Sequence, residues 1–334
     1  MLDKKTRVDC IVSGKYRRYA NLSWQMHIRY HLIKTHLANL IDVFKVGIGF
    51  LQSLVKLIVW RPKVIFCKGG FVCVPAGVAA HILRIPLVIH DSDAVPGLAN
   101  RILSRYATQI GTGLSVKNYP SYREDITKCV GIPVREGFRV LTIKQKVEAK
   151  KLFNFSPDKK LIVVIGGGLG AKNLNQAALT IASDMAKEGL QMLIVSGEDD
   201  SFKIDADLIA NIRVVSFVTD EMPKLLGAAD VVVTRAGATF LAELAAVAAP
   251  IIIVPNQHLA GDHQTKNATV YQKASAALVI NSHELEKSPA ILGDYIFKVV
   301  NDENLRKKLS QNLHKFAKPD ALKQVVEMIL GAVK

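Results

Sequence analysis

Glycine-rich and polar segments follow three predicted strands in the second half of the sequence, and their composition suits an anionic ligand. In the first of them, the apolar strand Leu161–Ile165 leads into a turn, residues 166–171, that contains four glycines. Glycine lets the backbone approach a ligand closely, and the unpaired N–H groups of the following helix attract an anion. A diphosphate is the expected ligand, although the same glycines also suit a tight strand–helix turn with no ligand.

A second turn of the same kind, Arg235–Ala238, follows the apolar strand Val231–Val233 and leads into a helix that contains Glu243. Two helix N-termini from one domain can hold one diphosphate between them. The carboxylate of Glu243, one turn into the helix, is placed to accept hydrogen bonds from ribose hydroxyls. An acidic residue near a helix start also stabilises the helix dipole, so this residue alone does not distinguish the two roles.

The third segment, residues 255–267, follows the apolar strand Ile251–Val254 and is dense in hydrogen-bonding side chains. Such a cluster suits a sugar with several hydroxyl groups, because ligands of parallel sheets bind beyond the carboxyl ends of the strands. The alternative is a polar loop in which Asp262 caps the next helix.

Two pairs of acidic residues, Asp91 with Asp93 and Asp205 with Asp207, have the spacing found in metal-dependent sugar transfer. Two acids on a short loop are more often turn residues, and hard cations need several oxygen ligands. We therefore expect neither a metal nor any other cofactor. The sequence also contains no G-x-S-x-G motif, which disfavours nucleophilic hydrolysis.

Apolar runs that alternate with segments of helical spacing predict two doubly wound, Rossmann-like α/β domains that face a cleft. Uninterrupted apolar strands are typical of parallel sheets covered on both faces. Looser composition around residues 137–146 places the domains at residues 1–140 and 141–334, with the last helix able to pack back on the first domain. In the first domain, strands are predicted at residues 8–12, 64–67, 87–90 and 109–111, and helices at 37–58, 75–83 and 98–106.

The chain carries a net charge of +15, all of which lies in residues 1–150, so an acidic partner is expected to meet the first domain. Basic and apolar side chains between Tyr19 and Lys34 predict attachment to an anionic membrane surface, whereas no nucleic-acid partner is expected. The apolar segment Leu37–Trp60 is interrupted by charges, which disfavours a transmembrane span. Residues 37–58 are instead predicted to form a crossover helix, most of which is buried against the sheet. Four cysteines without a C-x-x-C pair fit a reducing, cytosolic setting.

Seven ordered segments resemble one family of bacterial glycosyltransferases. They are residues 69–77, 90–100, 131–135, 166–171, 217–222, 234–238 and 262–265. From about Ile11 onwards the chain resembles the MurG family, which transfers N-acetylglucosamine from UDP-N-acetylglucosamine to lipid I and forms lipid II for peptidoglycan synthesis. The resemblance implies a GT-B-type fold, inversion at the anomeric carbon without a metal, and a peripheral place on the cytoplasmic face of the cell membrane. It also implies a part in cell wall biogenesis, cell shape and cell division.

The resemblance further implies that the second domain binds the UDP-sugar and that the first takes the lipid-linked acceptor. Glu243 is implied to hold the ribose, and the backbone of Val218 to bind the uracil. His263 and Gln264 are implied to hold the donor sugar. The remaining residues implied to lie at the donor are Asp93, Arg135, Gly168, Ala238, Thr239, Phe240, Leu241 and Ala242.

The sequence departs from the family pattern at several points. Gly168 stands where the family has serine, Asp93 where it has asparagine, and Phe71 where it has tyrosine. The family's Gly-rich loop with its histidine, which comes before the segment that matches Ser13–Arg18, is missing. We therefore expect a first domain that is incomplete at its N-terminus, name no catalytic residue, and expect residues 1–334 alone not to catalyse transfer.

Three alternatives stay open at the level of sequence. The first alternative to such a transferase is a partner-dependent or inactive subunit of one, in which another chain completes the first domain. A related UDP-sugar transferase acting on another lipid is the second alternative. The third is an NAD-dependent dehydrogenase, which needs an acidic residue about 20 residues beyond its Gly-rich turn. Glu198 lies somewhat late for that role, and Glu243 would go unexplained.

Overall fold

The computed structural model describes residues 7–14, 32–166, 171–197, 210–257 and 260–333. Contacts between Cα atoms divide the chain into two compact units. The first comprises the residues up to Gly131 together with Lys323 and those after it, and the second comprises Ile132–Leu322.

The first unit contains a parallel sheet whose four described strands lie side by side in chain order. The central strand β2 pairs with a neighbour on each side, since Ile89 lies opposite both Cys67 and Ile110. The strands are β1 (Ile65–Cys67), β2 (Leu87–Asp91), β3 (Gln109–Thr112) and β4 (Thr127–Cys129), and the helices are α1 (Leu32–Trp60), α2 (Cys73–Ile82) and α3 (Leu98–Leu103).

The strand predicted at residues 8–12 is wrong, because this segment lies along α1 and joins no sheet. The N–H of Val12 donates to Oε1 of Gln52 over 2.7 Å. The approach is so close that a Cβ on Gly49 would lie 1.8 Å from the carbonyl oxygen of Val12. Strand β2 is paired on both sides, because β1 and β3 flank it.

Helix α1 is exposed along most of its length, which corrects the prediction that it is buried against the sheet. A narrow stripe that includes Ser53 and Leu57 is buried, and Leu57 packs with Ala79 and Ala80 of α2. By length and composition, Leu37–Trp60 would suffice to cross a membrane, with a mean hydropathy of 1.6, and 17% of that stretch is buried. Phe50 and Leu54 pack partly against the same cluster, whereas many of the other large apolar side chains, such as Phe44, Leu51 and Val55, are exposed.

The second unit contains a six-stranded parallel sheet in the order β10-β9-β8-β5-β6-β7. Its first strand is central and the strand order reverses beside it, which is the doubly wound arrangement that the sequence predicts. The strands are β5 (Leu161–Ile165), β6 (Gln191–Val195), β7 (Ile212–Val215), β8 (Val231–Thr234), β9 (Ile251–Ile253) and β10 (Leu278–Val279).

The helices of this unit cover both faces of the sheet. Ile162 and Val164 belong to the core on one face, and Leu161, Val163 and Ile165 to the core on the other. This confirms that the uninterrupted apolar run marks a strand buried on both sides. The helices are α4 (Ile143–Leu152), α5 (Lys172–Lys187), α6 (Met222–Ala228), α7 (Ala238–Val247), α8 (His263–Lys273), α9 (Ser282–Lys287), α10 (Ile291–Asn301) and α11 (Glu303–His314).

Two elements went unpredicted. Helix α4 begins inside the segment interpreted as a loose junction, because Thr142 and Gln145 form a capping box across its first turn. Strand β4 has the sequence Thr-Lys-Cys, which carries no apolar signal. The final helix, α12 (Ala321–Gly331), contributes Val325 and Met328 to a core shared with Val88 of the first sheet.

A half-buried ion pair fixes the start of the second sheet, and its loss should destabilise the protein. The Asp230 carboxylate accepts from Lys150 Nζ and from the Leu161 N–H, each over 2.9 Å. Burial alone would raise the pKa of Asp230, but the hydrogen bond from Leu161 and the charge of Lys150 lower it overall. Because an Asp230→Asn change leaves the 8% exposed Lys150 without its counter-charge, we expect a loss of about 3 kcal/mol of unfolding free energy at pH 7.

Calorimetric unfolding of this variant, of wild type and of the exposed control Asp158→Asn measures the effect. A carboxyl with a lowered pKa stabilises the folded state above its ordinary value of 3.8, and the stabilisation disappears as the pH falls through the lowered value. The difference between wild type and Asp230→Asn should therefore shrink in acid. A difference that equals that of the control at pH 7 would refute this role.

Candidate functional site

Three loops of the second unit meet at the carboxyl edge of its sheet. Strand β8 pairs with β5 on one side and with β9 on the other, so the carboxyl ends of these three strands are neighbours. Gly166 ends the described part of the first loop. The predicted site residue Gly168 lies outside the described residues, as do Asp205 and Asp207.

The second loop leads into α7, whose first turn points its N–H groups at this edge. Gly237 precedes the helix in an extended conformation (φ −72°, ψ 123°), and no side chain of the described residues caps it. Such a helix N-terminus binds anions. Thr239 is exposed there, whereas Leu241 is fully buried in the core and Ala242 is 9% exposed. For these last two residues, only backbone atoms can serve the predicted contact with the nucleotide.

Glu243 and Arg135 lie close enough to interact electrostatically, although they are far apart in the sequence. Burial raises the pKa of Glu243, and the positive charge of Arg135 partly opposes that rise. Arg135 is exposed, and its guanidinium lies 5.7 Å from the centre of the Phe138 ring. Functional sites commonly contain carboxylates whose pKa is shifted by burial and by a nearby charge, as is that of Glu243.

The raised pKa of Glu243 predicts that this carboxylate reduces stability. Below its ordinary pKa of 4.5 the carboxyl is protonated in both the folded and the unfolded state, and the cost of a buried charge appears as the pH rises through the raised value. The Glu243→Gln variant should therefore unfold at a higher temperature than wild type at pH 7. Its advantage should vanish below about pH 4.5, and a lower unfolding temperature at pH 7 would contradict the expectation.

Three polar atoms at the start of α8 are buried and have no hydrogen-bonding partner in the described part of the chain. They are Oδ1 of Asp262, Nδ1 of His263 and Oγ1 of Thr265. Asp262 has a left-handed backbone (φ 53°) and does not cap α8 through its side chain, so the simple capping interpretation is wrong. A buried polar atom without a partner costs about 1–3 kcal/mol and requires an explanation, such as a bound water or a polar ligand.

Hydrogen bonds hold this cluster against the neighbouring loop. Oε1 of Gln264 accepts from the N–H of Asn256 over 2.8 Å. Nδ2 of the buried Asn267 donates to the carbonyl oxygen of Ala236 over 2.9 Å, which ties α8 to the turn before α7. The polar cluster and the helix N-terminus are thereby fixed relative to one another.

Two further predicted residues lie outside these three loops. Val218 is half-buried and packs against the same core as Phe240. Asp93 lies in the first unit, where its carbonyl oxygen accepts from the Tyr119 hydroxyl over 2.6 Å.

Asp91, two residues before Asp93, is buried, and burial raises the pKa of its carboxyl. Its Oδ2 accepts from the Tyr122 hydroxyl over 2.8 Å and from the N–H of Gly97 over 3.1 Å. This carboxylate is therefore engaged inside the protein. Within the residues that the structure describes, no cluster of three or more His, Cys, Asp or Glu side chains could hold a metal ion.

Sequence reasoning missed Arg235 and Asn267 as site residues. Arg235 is 7% exposed, directly after a fully buried strand. The sequence signal was available, because an arginine between an apolar strand and a small-residue turn has to find buried hydrogen-bond acceptors.

Comparison with known proteins matches both units. The profile of the glycosyltransferase family 28 C-terminal domain matches residues 161–325, and that of the family's N-terminal domain matches residues 20–112. In Caldicellulosiruptor saccharolyticus, the UDP-N-acetylglucosamine--N-acetylmuramyl-(pentapeptide) pyrophosphoryl-undecaprenol N-acetylglucosamine transferase is 32% identical over 285 residues, which is 83% of this chain and 75% of that protein. A protein of the same name from Clostridium botulinum is 31% identical over 335 residues, covering 96% of this chain and 83% of its relative.

The fold agrees with these matches. The crystal structure of Acinetobacter baumannii MurG has a TM-score of 0.69 and 25% identity, over 87% of this chain and 79% of the other. Two parallel sheets, together with matches to both domains of glycosyltransferase family 28, define a two-domain glycosyltransferase, as the fold prediction stated. Within this class, the chain belongs to the MurG family.

Proposed function

We propose that the protein transfers N-acetylglucosamine from UDP-N-acetylglucosamine to the lipid-linked muramyl acceptor, lipid I, in peptidoglycan synthesis. The relatives at about 32% identity carry this activity in their name. The observation that carries the donor assignment is the set of unpartnered buried atoms on Asp262, His263 and Thr265, beside the N-terminus of α7. A hydroxyl-rich sugar satisfies the first feature and a diphosphate the second.

The chemistry follows from this placement. The acceptor hydroxyl attacks the anomeric carbon from the face opposite the diphosphate and releases its proton to water, the carbon–oxygen bond to the diphosphate breaks, and UDP leaves. Negative charge grows on the leaving diphosphate, and the N–H groups at the start of α7 stabilise it as it forms. Glu243 accepts hydrogen bonds from the ribose, and the positive charge of Arg135 favours the ionised form of that carboxylate.

Removing the Thr265 hydroxyl tests the sugar half of this site. Thr265→Val keeps the shape of the side chain, and we expect it to weaken UDP-N-acetylglucosamine binding about fivefold, the value of one hydrogen bond, and to leave UDP binding unchanged. Calorimetric titration of both ligands gives the two affinities. Thr269→Val is the matched control, because this hydroxyl donates to the Thr265 carbonyl one turn further along the helix. Equal affinities for the sugar nucleotide in all three proteins would refute the assignment.

We further propose that the protein attaches to the cytoplasmic face of the cell membrane through the first unit. Along α1, Phe44, Leu51 and Val55 are 67%, 60% and 61% exposed, and their spacing puts them on one face of the helix. These residues form an exposed apolar face on α1. The first 150 residues, which include α1, carry all the net positive charge, so this part of the chain suits an anionic lipid surface. The lipid-linked acceptor would then reach the protein from the same surface. The patch predicted between Tyr19 and Lys34 lies largely outside the described residues.

A further inference from the structure

Arg235 connects three loops of the second unit through one buried guanidinium. Its Nη1 donates to the carbonyl oxygen of Val254 over 3.0 Å and to Oγ of Ser282 over 3.4 Å. Its Nη2 donates to Oδ1 of Asn173. The Ser282 hydroxyl in turn donates to the carbonyl oxygen of Pro255, so the network extends along the loop that leads to α8.

Arg235 and its partners Asn173 and Val254 follow the three strands that border the proposed donor site. Asn173 lies in the first turn of α5, directly after the Gly-rich turn that follows β5. Arg235 itself begins the turn after β8, and Val254 ends the strand region of β9. A change in the guanidinium geometry therefore alters the relative positions of the first turns of α5 and α7, the two helix N-termini expected to hold the diphosphate.

The charge of Arg235 is balanced only indirectly. In the described residues its hydrogen-bond acceptors are neutral, and the acidic group that acts on it is Glu286, whose Oε1 accepts from Nδ2 of Asn173 over 3.0 Å. Burial of a cation without a carboxylate in contact lowers the pKa of Arg235 and leaves a positive potential around it. An anion bound at the adjacent helix N-termini would be attracted by that potential.

We propose that Arg235 is a positioning residue for the donor diphosphate: acting through Asn173, it sets the distance between the first turns of α5 and α7. The inference rests on the proposed function and adds to it a residue that does not touch the ligand. A positioning role differs from a purely structural role in its effect on ligands. Its loss should weaken the binding of ligands that carry a diphosphate, but not the binding of the nucleoside alone.

The test compares Arg235→Lys, Asn173→Ala and the double variant by calorimetric titration with uridine at millimolar concentration, UDP and UDP-N-acetylglucosamine. Each single variant should lose about fivefold or more in affinity for both diphosphates and less than about twofold for uridine. The double variant should bind the two diphosphates no more weakly than the weaker-binding single variant, because both changes break the same connection. Arg213→Lys on the edge strand β7 is the matched control.

Each result decides the matter. Equal losses for uridine and UDP, unchanged affinities in the single variants, or additive losses in the double variant would overturn the positioning role. Asn173 is half-buried in a helix first turn, so Asn173→Ala should stay folded and decides the matter even if Arg235→Lys does not fold. A wild-type protein that binds none of the three ligands would instead refute the proposed function, and the inference with it.

Discussion

Glu243→Ala is expected to bind UDP-N-acetylglucosamine about 10- to 100-fold more weakly than wild type, in a calorimetric titration at pH 7.5. The ionised carboxylate accepts hydrogen bonds from the ribose, and loss of hydrogen bonds to a charged group costs about 1.5–3 kcal/mol. The affinity of wild type should also fall in mild acid, because burial raises the pKa of Glu243 and protonation removes an acceptor. The variant should not show this pH dependence.

The matched control is Glu188→Ala, an exposed carboxylate at the far end of α5. Its affinity should equal that of wild type at each pH. Should Glu243→Ala bind the sugar nucleotide as tightly as wild type, the ribose role is lost, whatever becomes of the sugar cluster at α8. A loss that extends equally to Glu188→Ala would indicate a general effect of negative charge on binding.

Replacement of Phe44, Leu51 and Val55 by serine should weaken binding to anionic vesicles about 100-fold. Each side chain is expected to contribute about 1 kcal/mol when it enters the lipid interface, and the three contributions together correspond to that factor. Co-sedimentation with vesicles that contain phosphatidylglycerol measures the bound fraction. Raising the salt concentration should weaken wild-type binding as well, since the positive charge of the first 150 residues is screened.

The control is the same change at three exposed apolar positions of the second unit, Val140, Ile143 and Leu152. That variant should bind vesicles like wild type. The membrane proposal fails if the α1 variant still co-sediments fully, or if both triple variants lose binding to the same extent. Binding that ignores both salt and anionic lipid would remove the electrostatic part and leave the apolar part.

The inner strands of the second sheet could be predicted from sequence because they are buried on both faces. The runs Leu161–Ile165 and Val231–Val233 have no polar interruption, and each is followed by a segment of helical spacing. Elements without such a signal failed. Strand β4 is Thr-Lys-Cys at the edge of a sheet, and α4 is specified by the capping box of Thr142 and Gln145 more than by apolar periodicity.

Helix α1 shows a different limit. Its apolar spacing predicted a helix correctly, but periodicity does not say what covers each face, and α2 covers only the stripe near Leu57. The short apolar stretch at residues 8–12 resembled a strand, yet its backbone lies against Gly49 of that helix. Tertiary contact decided both cases, and no local pattern reports it.

The candidate site divides in the same way. The turn after β8 and the polar segment at α8 could be located, because small residues and hydrogen-bonding side chains directly follow apolar strands. The approach of Arg135 to Glu243 and the buried network of Arg235 could not, since each depends on which loops the strand order brings together. The fully buried place of Leu241 likewise follows from the packing of α7.

The central claim is that the second unit binds UDP-N-acetylglucosamine, and one set of calorimetric titrations tests it most directly. The full chain is titrated with UDP-N-acetylglucosamine, UDP-glucose and NAD under the same conditions. We predict that UDP-N-acetylglucosamine binds most tightly, about tenfold more tightly than UDP-glucose, which corresponds to about 1.4 kcal/mol from contacts to the N-acetyl group. NAD should bind most weakly of the three. Tighter binding of NAD than of either sugar nucleotide would contradict the account and favour a dehydrogenase.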